Sequence, residues 1–220
     1  AALEGVLHES PPRFLATVAW SFATVRQWPP DALLHGLSRE ARLKIRYFNA
    51  QDIANTTWAF ASLQYSDPDL MAALSSAARE WLEELRPQQM SILVWSFARL
   101  NHPAPDLFDG VRSRVLKEGL RGFTTQGLAN LAWGFAEAGH PAEQLLVAVE
   151  KEALQQLPYF TAAELVMTAH AVAEGHPAPY AFLQALRTDA YTRLDEFSVN
   201  EVKLLDQAVA AHGSDREEGD

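Results

Sequence analysis

Residues 48–61 read Phe-Asn-Ala-Gln-Asp-Ile-Ala-Asn-Thr-Thr-Trp-Ala-Phe-Ala, and residues 123–136 read Phe-Thr-Thr-Gln-Gly-Leu-Ala-Asn-Leu-Ala-Trp-Gly-Phe-Ala. The shared frame is a repeat, and it extends in both directions. Trp followed two residues later by Phe occurs at Trp20/Phe22, Trp58/Phe60, Trp95/Phe97 and Trp133/Phe135, with Trp spacings of 38, 37 and 38. Two further steps of 37 reach His170/Val172 and Gln207/Val209. Three places after the Trp position stands Ala23, Ala61, Ala98, Ala136, Ala173 or Ala210, and five places before it stands Leu15, Ile53, Met90, Leu128, Leu165 or Val202. Such periodicity marks a repeat architecture before any local reading.

Each unit divides into two helices. Helix A carries the Trp, as in Asn49–Leu63. With the Trp at 0° on a helical wheel, the apolar positions −5, −2, +2 and +5 fall between about 140° and 220°. Positions −7, −3 and +4 fall between about 20° and 60° and form a polar, variable stripe. A proline turn follows: Pro29-Pro30, Asp67-Pro68, His102-Pro103-Ala104-Pro105, His140-Pro141 and His176-Pro177-Ala178-Pro179. Proline is tolerated in the first turn of a helix, where its missing N–H would have no partner anyway, so these turns open helix B. No segment shows the period-2 alternation of a strand. The expectation is an all-α fold, an α-solenoid of helix-turn-helix repeats of 37–38 residues, more than about 70% helical. The repeats are expected at 10–47, 48–84, 85–122, 123–159 and 160–196. A closing helix is expected at 197–212, the remnant of a preceding helix at 1–9 and a disordered acidic tail at 213–220. The Trp–Phe pairs are expected in the core.

These units resemble the octotricopeptide and heptatricopeptide repeats of organellar proteins, relatives of the RAP-domain proteins, over residues 10–212. The resemblance implies an RNA-binding helical repeat protein of the mitochondrion or chloroplast. It implies a role in RNA processing, stability or translation within a larger ribonucleoprotein. The alternative is a structural scaffold, such as a divergent mitochondrial ribosomal subunit without base readout. The turn is shorter than the family's, as at Pro29-Pro30-Asp31 and Asp67-Pro68-Asp69, and these 220 residues contain no stretch that resembles a RAP domain. The segment starting at Ala1-Ala2-Leu3-Glu4-Gly5 shows no targeting signal, as expected of a processed chain or a piece of a longer one.

Composition narrows the classes. Of the 220 residues 48% are hydrophobic and 21% charged, a globular balance. Cysteine is absent, which excludes disulfide frameworks, cysteine zinc sites and cysteine nucleophiles. No apolar run is long enough to span a membrane. The net charge is −10, and all of it lies in the second part: residues 1–122 carry 13 Lys+Arg and 13 Asp+Glu, residues 123–220 carry 5 and 15. An acidic surface repels phosphate polyanions, so RNA is expected on the first part and protein partners on the acidic C-terminal repeats. No catalytic motif, cofactor, metal site or small-molecule substrate is expected.

Two sets of residues are candidates for RNA contact, the transcript or ribosomal RNA being left open. The A-helix stripe offers Gln51, Asn55, Gln88, Gln126 and Asn130, whose amides both donate and accept and so suit base edges. The competing reading is that they satisfy backbone groups or neighbouring repeats. The apolar Ile92, Met167 and Leu204 in the same stripe favour it. The B helices offer Arg39, Arg42, Lys44 and Arg46, and Arg112, Arg114, Lys117 and Arg121, for phosphates. Against this stands a solvated face with cations near helix C-termini. His102, His140 and His176, one repeat apart, are expected to serve the turns.

Overall fold

The computed structural model describes residues 2–213, of which Gly213 closes the last helix; residues 214–220 of the expected tail lie outside the described residues. The protein is 79% helical. Twelve α-helices and four 3-10 turns form among the described residues, with no strand. They are α1 (Ala2–Glu9), α2 (Pro12–Thr24), α3 (Asp31–Leu43), α4 (Ala50–Ser62), α5 (Pro68–Glu80) and α6 (Pro87–Arg99). There follow α7 (Pro105–Glu118), α8 (Thr125–Glu137), α9 (Glu143–Gln156), α10 (Ala162–Gly175), α11 (Tyr180–Thr192) and α12 (Val199–Gly213). The even-numbered helices from α2 to α12 are the six A helices.

The contacts divide the chain into two units, Ala1–Val111 and Arg112–Asp220, with the boundary inside α7. In the first unit α2 packs on α4 and α4 on α6, while α3 and α5 form the second layer. In the second unit α8 packs on α10 and α10 on α12, backed by α9 and α11. Contacts between successive repeats are the signature of helical-repeat packing. In the first unit α1 lies against α3, where a Cβ on Gly36 would meet Leu7 Cδ1 at 2.5 Å and oblige that side chain to shift.

Local chemistry sets each helix end. Asn49 caps α4: its side chain accepts from the N–H groups of Gln51 and Asp52, and Asp52 accepts from the Asn49 N–H. Thr161 and Glu164 form the same capping box on α10, and Ser198 and Glu201 do so at α12. Pro12, Pro68, Pro87 and Pro105 occupy the first helical positions of α2, α5, α6 and α7. The A helices end in a recurring left-handed turn six residues after the Trp position. Arg26, Gln64, Asn101 and Gly139 have φ of 53°, 49°, 50° and 60°. At each, two backbone bonds close the motif: Tyr65 N–H donates to the Phe60 carbonyl (3.0 Å) and Gln64 N–H to that of Ala61 (3.1 Å). The fifth repeat drops the turn, and His176 N–H bonds the Val172 carbonyl instead.

The core follows the wheel, with one correction. Phe60, Phe97, Phe135, Val172 and Val209 are buried, as are Leu15, Ile53, Met90, Leu128 and Leu165. The Trp of each pair is not core. Trp20 is 42% exposed, and Trp58, Trp95 and Trp133 are half-buried. Two residues along a helix turn the side chain by about 200°, so a Trp and a Phe so spaced cannot share one face. The Phe enters the layer of B helices. The Trp lies on the open side, in lateral contact with its neighbour: the Trp20 and Trp58 rings are 6.4 Å apart, tilted by 41°.

Truncating Phe60 to Ala is therefore expected to cost roughly 3–5 kcal/mol, and truncating Trp58 to Ala only about 1–2, in urea unfolding. Equal costs would contradict this division of faces. The Thr56 hydroxyl is buried without a hydrogen-bond partner, at a position held by Leu93, Leu131 and Leu205 in other repeats. Thr56→Val should raise stability by about 1 kcal/mol, because it removes an unsatisfied group at nearly constant shape. A lower midpoint in the same titration would refute this.

Candidate nucleic-acid interface

An A helix in the middle of a unit is covered by its B helices and by an A helix on either side. What stays open is the line through positions −7, −3, 0 and +4. In the first unit the line holds Arg13, Thr17, Trp20 and Thr24 on α2, Gln51, Asn55, Trp58 and Ser62 on α4, and Gln88, Ile92, Trp95 and Arg99 on α6. In the second it holds Gln126, Asn130, Trp133 and Glu137 on α8, and Ala163, Met167, His170 and Glu174 on α10. Every one of these residues is exposed or half-buried.

The five amide candidates thus all reach solvent. Gln51, Gln88 and Gln126 are exposed, and Asn55 and Asn130 are half-buried. Within the first unit they are partly joined. Gln51 Nε2 donates to Asn55 Oδ1 (2.7 Å), and Gln89 Nε2 donates to Gln51 Oε1 (3.4 Å). Gln89 itself is buried and caps α6 by accepting from the Arg86 N–H. The amides therefore form a bonded row along adjoining helices, with Gln88 outside it.

The cationic candidates have mostly protein partners. Arg39 reaches Glu4 (3.5 Å) and Glu40 (3.2 Å), and Arg42 pairs with Asp69. Lys44 Nζ donates to the carbonyls of Leu7 (3.1 Å) and Ser10 (2.8 Å), closing the C-terminal end of α1. It also lies 3.7 Å from Glu40, whose side chain is only 2% exposed. Arg46 lies over the Tyr47 ring at 4.6 Å. On α7, Arg112 donates to the Pro141 carbonyl (2.9 Å) and Arg114 pairs with Glu118 (3.1 Å). Lys117 and Arg121 are exposed and have no partner among the described residues.

The turn histidines have packing roles. His102 and His140 set their rings against Phe97 and Phe135 at 5.9 and 5.7 Å. Burial lowers the pKa of His102. His176 Nδ1 accepts from the Ala178 N–H (3.0 Å), and its Nε2 stands 2.7 Å from Glu150. Among the described residues no three His, Asp or Glu side chains are placed to hold a metal ion, and no helix is long and apolar enough to cross a membrane.

Sequence reasoning passed over a groove in the first unit, of about 750 Å³, at the C-terminal ends of the A helices. Trp28, Trp58 and Trp95 line it with Arg26, Arg99 and Gln64. The signal was available: Arg99 stands at +4, and Arg26 and Gln64 at +6, in the same repeat frame that placed the Trp residues. On the second unit a different recess, of about 440 Å³, falls on the same line. It is lined by Trp133, Met167, His170 and Leu204 and has no cation of the Arg or Lys type.

The RNA-editing substrate-binding complex 6 protein family matches residues 7–213. The chain belongs to this family. No curated protein matches it. Membership in the RNA-editing substrate-binding complex 6 family makes the chain an RNA-associated helical protein. The matched range takes in all six A helices, so the face described above lies wholly within the part of the chain that the family defines.

The cation cluster on α3 has a consequence for acid stability. Burial raises the pKa of Asp67, but the Ser38 hydroxyl, the Leu70 and Asp69 N–H groups and the Arg42 charge outweigh it and hold the carboxyl below its ordinary value. A lowered folded-state pKa stabilises the fold above the ordinary carboxylate range, and that stability is lost as pH falls through the folded value. Asp67→Ala should cost about 1 kcal/mol at neutral pH through loss of the α5 cap, and much less once the wild-type carboxyl is protonated. Urea midpoints of wild type and variant in a series from pH 7 down to pH 2 measure this; a cost that fell nowhere in the series would exclude the assignment.

Proposed function

We propose that the chain is an RNA-binding subunit of an organellar RNA-editing assembly, and that it meets RNA with the open line of its A helices. The observation that carries this reading is the row Gln51–Asn55 beside Trp58, on a surface that the repeat leaves uncovered, in a chain of an RNA-editing family. Amides supply donor and acceptor for base edges, and half-exposed aromatic rings supply flat apolar surface for bases. Gln126 and Asn130 repeat the arrangement beside Trp133 in the second unit. We read the unit as octotricopeptide-like and the role as one of binding, in RNA processing, without a catalytic step. An editing family favours the mitochondrion over the chloroplast.

Of the eight cations expected on B helices, Arg39, Arg42, Arg112, Arg114 and Lys117 lie on α3 and α7, while Lys44, Arg46 and Arg121 lie just past the ends of those helices, and they enter this reading unequally. Lys117 and Arg121, exposed and without ion pairs, are the phosphate contacts of the eight. Lys44, Arg39 and Arg114 hold the fold. The second unit carries Glu137 and Glu174 on the open line where the first carries Thr24, Ser62 and Arg99. That acidic line, continued by Met167 and Leu204, favours a second reading for this unit as a docking face for a basic protein of the assembly.

Fluorescence anisotropy with a labelled single-stranded RNA, at two salt concentrations, tests the proposal. Asn55→Ala and Asn130→Ala should alter preference among RNA sequences and leave the salt slope unchanged. Lys117→Gln with Arg121→Gln should weaken all sequences alike and flatten the log–log slope by about 1.4, at ~0.7 per phosphate contact for single strands. Absence of saturable binding by the wild type at low salt would overturn the reading.

A further inference from the structure

The groove of the first unit brings indole rings and arginines together. Trp28 is 54% exposed, and its indole N–H donates to Asp31 Oδ1 (3.3 Å). Trp58 and Trp95 present half-buried rings from neighbouring A helices. Arg26 and Arg99 are exposed and enter no ion pair among the described residues. No carboxylate lines the groove; Asp31, held by Trp28, is the acid next to it. In a protein of net charge −10, where Arg39, Arg42, Arg79, Arg114, Arg187 and Arg193 enter ion pairs, two unpaired guanidinium groups flanked by three indoles form a local cationic, aromatic surface. The repeat frame shows that this is particular to the first unit. The position of Arg99 is held by Glu137 and Glu174 in the two following repeats, and that of Arg26 by Gly139 and His176.

We infer that this groove takes one or two nucleotides of a single-stranded RNA, with their bases held against the rings of Trp28, Trp58 and Trp95 and phosphates on Arg26 and Arg99. The inference rests on the RNA-binding reading above and deepens it by naming where the strand is held. Flat indole rings stack on any base, since every base has a π-face, and the guanidinium groups meet the backbone. The volume of about 750 Å³ suits one or two nucleotides, within the range of about 300–1,000 Å³ common for small ligands. The site is therefore tolerant of sequence. It anchors a strand whose other bases pass the amide row of Gln51 and Asn55.

The test uses the full chain and two probes: a labelled single-stranded oligoribonucleotide, and an abasic oligomer of the same length and charge. Trp58→Leu or Trp95→Leu should weaken the base-bearing strand roughly 5- to 100-fold and leave the abasic strand unchanged, because stacking needs a base. Arg26→Gln with Arg99→Gln should weaken both strands and flatten the salt slope by about 1.4. Circular dichroism melts identify any variant that fails to fold. For that case, photo-crosslinking of a 5-iodouridine strand to the wild type gives an independent answer, with adducts expected on Trp28, Trp58 or Trp95. If the wild type binds RNA but the variants match it and the adducts lie elsewhere, the groove is not the site, although the protein remains an RNA binder. If the variants instead lose a protein of the assembly while keeping RNA, the groove belongs to that protein and the inference fails. If the wild type binds neither strand, both this inference and the reading beneath it fall.

Discussion

Coverage of the A helix on three sides is the constraint on which the rest depends. A helix that packs B helices behind it and a like helix on each flank has one narrow line left to offer. In this protein that line is fixed by the repeat frame. Position +2 enters the core, position −5 joins it, and position 0 cannot follow because helical geometry turns it away. The fold is thus indifferent to much of what stands at −7, −3, 0 and +4. Those positions are free to carry a function, and they differ between the units: amides, indoles and Arg99 in the first, and in the second the amides and Trp133 of α8 followed by Glu137, Met167, His170 and Glu174. Burial and function are separated by angle rather than by region.

Charge follows the same separation. Most of the basic side chains on the outer helices have structural work. Lys44 satisfies carbonyls at the end of α1, Arg39 neutralises a buried Glu40, and Arg193 joins Asp189 (2.8 Å) and Glu196 (2.8 Å) on the acidic side of the chain. Pairs of this kind consume cations without leaving a field for an anionic partner. Among the cations that stay exposed without an ion pair are Arg13, Arg26 and Arg99 on the A side and Lys117 and Arg121 at and beyond the end of α7.

The fold was legible because it is periodic. Six registers, each with an apolar residue at −5 and an alanine at +3, leave little choice of secondary structure, and the prolines mark where the next helix opens. The exposed character of Gln51, Asn55, Gln88, Gln126 and Asn130 was legible for the same reason. The Trp position is where size and angle disagree: a large apolar side chain suggests the core, but the wheel sets it opposite the core stripe, and the angle decides. The partners of Arg42, Lys44 and Arg112 were beyond sequence reading, since each lies 27 or more residues away. The groove is harder to read: the repeat frame places Trp58, Trp95, Arg26, Gln64 and Arg99, but Trp28 stands in the segment after the turn, at a position that carries no Trp in the other repeats.

The left-handed turn at the end of the A helices has a further implication. At Arg26, Gln64 and Asn101 the backbone is held by two hydrogen bonds in a conformation that costs a non-glycine residue about 1–2 kcal/mol. Three consecutive repeats accept that cost with three unlike side chains, one cationic and two amide, while the turn itself is unchanged. The backbone there behaves as a fixed socket into which different groups are set. Specificity in such an array can be rewritten one repeat at a time, by exchanging a single exposed side chain, without any repacking of the helices on either side.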